Sequence, residues 1–237
     1  DLPLPLAIAV ALVAGGLAGF VNGFIITKGR VAPFIVTLGM MSIGRSMAYV
    51  LSGANSISQL PDALGDFASS TIIGIPTNFV VLVVLYAAAW YYLTFTKGGR
   101  TIYAIGSNAE AARTAGLRVE FYSILVYVIS GALSAVAAVF LAARILSIDP
   151  IAATGLELDT IAAVVIGGAS LFGGRGTIIG TFVGVLIMVL IRNGLNLLNV
   201  NPYWQGTAIG SIIIAAVLLE RLLSAREGLR RARPEDK

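Results

Sequence analysis

Four groups of residues in this 237-residue chain have types and spacings that chemistry could use. The run GGASLFGGRGT, Gly167 to Thr177, packs five glycines and an arginine between two apolar segments. A Walker A phosphate loop needs G-x-x-x-x-G-K-[ST]; Gly168 and Gly173 keep that spacing, but Gly174 stands where a lysine must reach the phosphates. The run therefore reads as a tight turn whose glycines permit unusual backbone angles. Glu157 and Asp159 are two residues apart, so on a helix they diverge and do not form a catalytic carboxylate pair. Arg192, Asn196 and Asn199 follow at spacings of four and three, which puts them on one helix face. Last, the polar island KGGRTIYAIGSNAEAARTAGLRVE, Lys97 to Glu120, separates two apolar spans. In it Ser107 is a candidate N-cap with Glu110 at the third helical position, a capping box, and Gly116 is a natural stop. Glu110, Ala111 and Ala112 with Gly116 spell E-A-A-x-x-x-G. A rigid two-turn helix of this kind, small on one side and charged on the other, can seat in a groove of a soluble partner and transmit its movement, or can simply connect two spans.

The composition sets where these groups must work. Hydrophobic residues make up 57% and charged residues only 12%, against about 25% charged in ordinary soluble domains. This is an integral membrane chain. It has no cysteine and no histidine, which removes disulfides, a thiol nucleophile, an imidazole base and the usual zinc site. No catalytic, metal or cofactor site is expected in it. The net charge of +4 comes from basic residues at span ends and in the tail rather than from a folded basic face, so nucleic acid is not an expected partner.

The elements that position these residues are helices, because the apolar runs are continuous where a membrane barrel would alternate. About 20 apolar residues cross a bilayer core. Seven spans are expected: Leu4 to Thr27, Val31 to Leu51, Thr77 to Phe95, Ser123 to Ala143, Leu158 to Phe172, Ile178 to Leu198 and Trp204 to Leu223. The fifth is short, and an oblique or broken course is expected for it. The first is too long, and lacks the basic flank, to be a cleavable signal peptide. Lysine and arginine bias puts Lys28, Arg30, Lys97, Arg100, Arg113, Arg118, Arg175 and the tail on the cytoplasmic face. Asp62, Asp66, Asp149 and Glu157 fall outside. The stretch QLPDALGDFASS in the outer loop reads as a short amphipathic segment on the outer surface, and residues 224–237 read as a solvated cytoplasmic tail.

Three arginines depart from that bias. Arg45 and Arg192 each lie about 9 Å, by helical rise, inside the outer ends of their spans, and Arg144 is at the outer mouth. Charges at such depth either line a water-filled cavity or snorkel to the interface. Asn22 and Asn193 could bind a polar solute or tie helices together. Gly15, Gly19 and Gly23 recur every fourth residue, a small-residue face suited to close packing or to sliding during gating.

The segments GFIITKGRVAPFIVTLGMM (Gly23 to Met41), GRTIYAIGSNAEAARTAGLRV (Gly99 to Val119), TGLELDTIAAVVIGGASLFGGRGTIIGT (Thr154 to Thr181) and NGLNLL (Asn193 to Leu198) resemble the permease subunits of bacterial ABC sugar importers of the ribose, xylose and galactose group. The resemblance runs through essentially all of the chain up to Leu223. It implies an all-α, polytopic bundle in the bacterial inner membrane, 1–237 as one permease domain, without catalysis of its own. It also implies a cytoplasmic ATPase that binds ATP and magnesium, an extracytoplasmic sugar-binding protein and a second permease copy, identical or not. The ATPase-coupling helix would lie at Asn108 to Ala115 within the 97–120 loop, with Ser107, Glu110, Ala111, Ala112, Arg113 and Gly116 as coupling positions. Asn22, Arg45, Arg192, Asn193 and Asn196 are candidates for the pathway or outer cavity, and Arg144 for docking the binding protein. Members of the group carry further spans ahead of the region that Leu4 opens, and those spans are not in this sequence. A branched-chain amino acid permease is the nearest rival; a buried charge pair for a zwitterion would mark it, and none is evident in the sequence. A passive channel would need no coupling helix, and a membrane enzyme would need paired carboxylates.

Overall fold

The computed structural model describes residues 3–218 apart from 59, 73, 172, 202, 203, 213, 216 and 217. The expected tail at 224–237 lies outside the described residues. By contacts the chain forms two units, 1–102 with 109–152, and 103–108 with 153–237.

The first unit holds α1 (Leu4–Gly29), α2 (Pro33–Ser52), α3 (Asp62–Ser69), a hairpin of β1 (Thr71–Ile72) and β2 (Ile75–Pro76), α4 (Thr77–Phe95), the first half of α5 (Lys97–Ser107), α6 (Ala109–Thr114) and α7 (Val119–Ile145). Prolines open α1 and α2 within their first two positions, where the missing N–H has no helical partner to lose. Helices α1, α2, α4 and α7 are each long and apolar enough to cross a membrane. Most of their large side chains stay exposed, Phe34, Val50 and Leu51 among them, as a lipid-facing surface requires.

The expected small-residue face of α1 packs directly on α7. A Cβ added at Gly19 would lie 2.8 Å from the Tyr127 carbonyl carbon, and one at Gly23 would lie 2.9 Å from Ile124 Cα. Gly131 of α7 returns the approach, since a Cβ there would meet Gly15 C at 3.0 Å and Gly19 N at 3.1 Å. The two backbones therefore touch, and dispersion and close packing replace the hydrophobic effect that lipid cannot supply.

Span ends in this unit pair as the charge bias requires. Lys28 near the end of α1 bonds Glu120 at the start of α7, both on the face assigned to the cytoplasm. Beyond the opposite ends of α2 and α7, Ile57 and Ile148 exchange two backbone hydrogen bonds of 2.9 Å. The amphipathic stretch of the outer loop is α3. It buries Leu64 and sets Phe67 against Phe140 of α7, ring centroids 5.5 Å apart.

The second unit holds the end of α5, α8 (Leu156–Ile166), α9 (Ile178–Leu197) and helical residues 204–212. Helix α9 is long enough to cross; α8 is not, since 11 residues rise about 16 Å. The fifth span is thus a half-length helix. Its stop is a Schellman motif: Gly168 N–H bonds Val165 O at 2.9 Å and Ala169 N–H bonds Val164 O at 3.1 Å, with Gly168 at φ +83°. The seventh span, Trp204 to Leu223, runs past the described residues. Its helical part sends Ile209 into an apolar cluster with Ala162, Ala163 and Met188.

Candidate functional site

The polar island is two helices rather than one. Thr96 breaks α4 from α5 and caps the latter, its Oγ1 accepting from Gly99 N–H at 3.1 Å. Helix α5 then runs through Ser107, so Ser107 is not an N-cap. Asn108 is the single non-helical residue before α6, which moves Glu110 to the second helical position and removes the capping box. Asparagine suits the cap position as well as serine does. The expected stop is present: Gly116, at φ +78°, gives its N–H to Arg113 O, and Leu117 N–H reaches Ala112 O, both at 3.0 Å. That Schellman geometry fixes the α6 end.

Burial divides the residues of α6. Ala109, Glu110, Ala111 and Arg113 are exposed, whereas Ala112 is 5% exposed and packs inward. The outward face of α6 is therefore a charged residue, two alanines and an arginine, and Ala112 contributes spacing rather than contact. Next to it an open pocket of about 370 Å³ is lined by Arg113, Leu117, Arg118, Val119, Glu120 and Phe121.

The glycine run is the tight turn expected of it. Gly168, Gly173, Gly174 and Gly176 all have positive φ, and Ser170 N–H bonds Arg175 O at 3.0 Å across the loop. The turn is also a seat for the end of α5. A Cβ at Gly173 would lie 2.7 Å from Gly106 O, one at Gly174 2.7 Å from Ser107 Cα, and Tyr103 gives its hydroxyl to Gly176 O at 2.8 Å. Thr177 caps α9, accepting from Gly180 N–H at 3.0 Å.

From that turn α8 and α9 run back antiparallel, backbone on backbone. A Cβ at Gly184 would lie 2.8 Å from Gly167 N and closer still to Ala163 O. Towards the far end of this hairpin Arg192 forms an ion pair with Asp159. The pair is not a buried one, since the Arg192 side chain is about half exposed. Asn196, one turn beyond Arg192, accepts from Gln205 Nε2 at 2.8 Å. Asn193 is exposed on another face of α9.

The remaining candidates belong to the first unit. Asn22 is half-buried on α1, and its side-chain oxygen accepts no hydrogen bond among the described residues. Arg45 shares one face of α2 with Ser42, Ser46 and Tyr49, around an open groove of about 310 Å³. No residue of α2 is buried, so that polar face has no cover within the described residues. Arg144 is exposed in the last turn of α7, where a cation complements the helix C-terminus. Beyond that helix Asp149 accepts from Ile151 N–H at 2.9 Å and from the Ser56 hydroxyl at 2.7 Å. Those two bonds, the backbone one first, hold its carboxyl below the ordinary 3.8. Among the described residues no cluster of acidic residues could hold a metal ion.

Comparison with known proteins agrees with this architecture. The chain is 42% identical over 218 residues to the ribose import permease of Escherichia coli K12, covering 90% of this chain and 68% of that one. It is 43% identical over 206 residues to the ribose import permease of Bacillus subtilis 168 (86% and 64%). It is 37% identical over 222 residues to the D-allose transport system permease of E. coli K12 (94% and 68%). The chain thus spans about two thirds of the length of these relatives. No solved structure matches it. The family model described as the branched-chain amino acid transport system permease component matches residues 1–218. With that pattern running through every described helix, the chain belongs to this family of transport-system permeases and is a multi-pass membrane protein.

Proposed function

We infer that the chain is the permease subunit of a bacterial ABC sugar importer, seated in the cytoplasmic membrane and moving a monosaccharide inward. The observation that carries this is 37–43% identity to ribose and allose import permeases along 86–94% of the chain. The branched-chain amino acid alternative is not favoured, because these relatives are named for ribose and allose.

The two units act as one permease domain with no catalytic site and no cofactor of its own. Energy comes from a partner ATPase holding ATP and magnesium. Its groove receives the outward face of α6, with Glu110, Ala111 and Arg113 in contact and Asn108, Ala112 and Gly116 fixing the helix. Ser107 carries the motion onward, since the end of α5 is seated on the glycine turn that joins α8 to α9. ATP-driven closure of the ATPase dimer then biases the bundle between outward- and inward-facing states. Asn22 and Arg45 in the first unit and Arg192, Asn193 and Asn196 in the second are the candidates for the pathway or outer cavity, and Arg144 meets acidic groups on an extracytoplasmic sugar-binding protein.

The test is uptake by proteoliposomes holding the complete transporter. Labelled ribose should enter only with ATP, the ATPase and loaded binding protein, and excess xylose or galactose should compete where leucine does not. Uptake independent of ATP would make the chain a channel; competition by leucine alone would make it an amino acid permease. Glu110→Lys and Gly116→Pro should each lower ATP-driven uptake at least tenfold while membrane insertion persists. Normal uptake in both would remove the coupling assignment.

A further inference from the structure

A polar band crosses the second unit at one level. Asp159, in the first turn of α8, has only 13% of its side chain exposed, while its partner Arg192 on α9 is 48% exposed. Asn196 lies one turn further on the same face of α9 and is itself exposed. Gln205 pins it, with Nε2 bonded to Asn196 Oδ1 at 2.8 Å and to Val200 O at 3.2 Å.

Holding the hairpin together does not require this band. Gly167, Gly180 and Gly184 already bring the α8 and α9 backbones into contact, and Ala162, Ala163, Met188 and Ile209 form an apolar cluster beside them. A charged pair among apolar spans is no more stable than apolar side chains of the same volume, because desolvation cancels the attraction. The pair is also lopsided. The Asp159 side chain is largely enclosed, whereas the Arg192 side chain is about half exposed and Asn196 is exposed, which sets donor-bearing side chains beside a held acceptor.

We propose that Asp159, Arg192 and Asn196 form a hydroxyl-binding station for the transported solute, with Gln205 as a positioning residue. The inference rests on the sugar-permease reading and names where that sugar is held. A hydroxyl both donates and accepts, and a vicinal diol presents two such groups to a planar fork. The Asp159 carboxylate accepts from the diol while Arg192 and Asn196 donate to it. The ion pair opens as the sugar takes up both halves and recloses when it leaves, so neither charge is left unpaired in the apolar hairpin.

The experiment uses the complete transporter in proteoliposomes, with labelled ribose and its singly deoxygenated analogues delivered by saturated binding protein. In the wild type, removing the hydroxyl that Asp159 reads should lower uptake about tenfold or more. Asp159→Asn and Asn196→Ala should lower ribose uptake by a similar factor and bring the discrimination against that analogue close to unity. Membrane insertion and co-purification with the ATPase should persist, which separates lost recognition from lost assembly. Asn196→Ala leaves the ion pair in place, so it decides the matter should Asp159→Asn fail to assemble. Assembled variants that keep wild-type uptake and discrimination would overturn the station. So would full recovery of both in the swap Asp159→Arg with Arg192→Asp, the result a mere hairpin clamp gives. A wild-type transporter that moves no sugar at all would sink the underlying reading instead.

Discussion

Replacing Gly19 by alanine tests the packing on which the first unit rests. The new Cβ would lie 2.8 Å from the Tyr127 carbonyl carbon and 3.0 Å from Val128 Cα, where ordinary contact begins at 3.4 Å. Both obstacles are backbone, so neither can rotate away, and the helices must part by several tenths of an ångström to an ångström. Gly15 and Gly23 also approach α7 closely one turn to either side, and a gap of that size forfeits about a quarter to a half of each dispersion contact. Overpacking of this kind costs about 1–3 kcal/mol, and about 2 kcal/mol is the expected loss. Gly16→Ala is the internal control: a Cβ there meets nothing within 4 Å, and its effect should stay within about 0.5 kcal/mol. Reversible unfolding of the purified chain in mixed lipid micelles measures both. Gly131→Ala should cost as much as Gly19→Ala, and the double variant less than their sum, because helices already parted have room for the second methyl. Equal effects for Gly16→Ala and Gly19→Ala would show that α1 and α7 do not meet backbone to backbone.

Two further outcomes follow from the loops. The Asp149 carboxyl is held below 3.8 by Ile151 N–H and the Ser56 hydroxyl; a lowered value means that its stabilising effect is complete above the unfolded pKa and fades as pH falls through the folded one. Amide protection at Ile57 and Ile148, corrected for intrinsic exchange, should therefore be constant from neutral pH to about 5 and drop below 3.8, with Asp149→Asn abolishing the acid transition. Tyr103→Phe removes the bond to Gly176 O at a cost of about 1 kcal/mol, and proteolysis of the 167–177 turn should quicken accordingly. Gly174→Ala should do so more strongly, since it sets a side chain both at φ +75° and 2.7 Å from Ser107 Cα.

The long helices were legible because their signals are local and redundant. Apolar length alone marks α1, α2, α4, α7 and α9, and a four-residue glycine period marks the buried face of α1. Gly116 announced the end of α6 because a positive φ is a backbone requirement that few residues meet. The fifth span was harder, as its apolar run continues past Ile166 while the Gly167–Gly168 pair ends the helix. Helix α5 went unread for a related reason. Three glycines in KGGRTIYAIGS argue against a helix, and only the cap at Thr96 and the seat on the glycine turn repay their low propensity. With α5 missing, Ser107 reads as the start of the short helix, whereas Asn108 is the residue that separates α5 from α6.

The charged band shows what a single sequence withholds. Arg192 and Asn196 could be grouped in advance, because neighbours on one helix are set by period alone. Asp159 could not, since its nearness to Arg192 depends on how far α8 extends and on where the glycine turn releases α9. Compared only with Glu157, two residues away, Asp159 diverges from its neighbour and shows no partner. A rule of depth finds it: an acidic side chain within an apolar segment needs a cation at the same level on a neighbouring helix, and Arg192 is the basic residue within α9. Applied to α2, the same rule asks for a counterpart to Arg45, and no described residue supplies an ion pair to it. Water, snorkelling to the interface or another protein segment can answer that demand; if the segment is a second copy of the chain, lipid exchange should be slow around a probe at Ser42 in the assembled transporter and fast in the isolated chain.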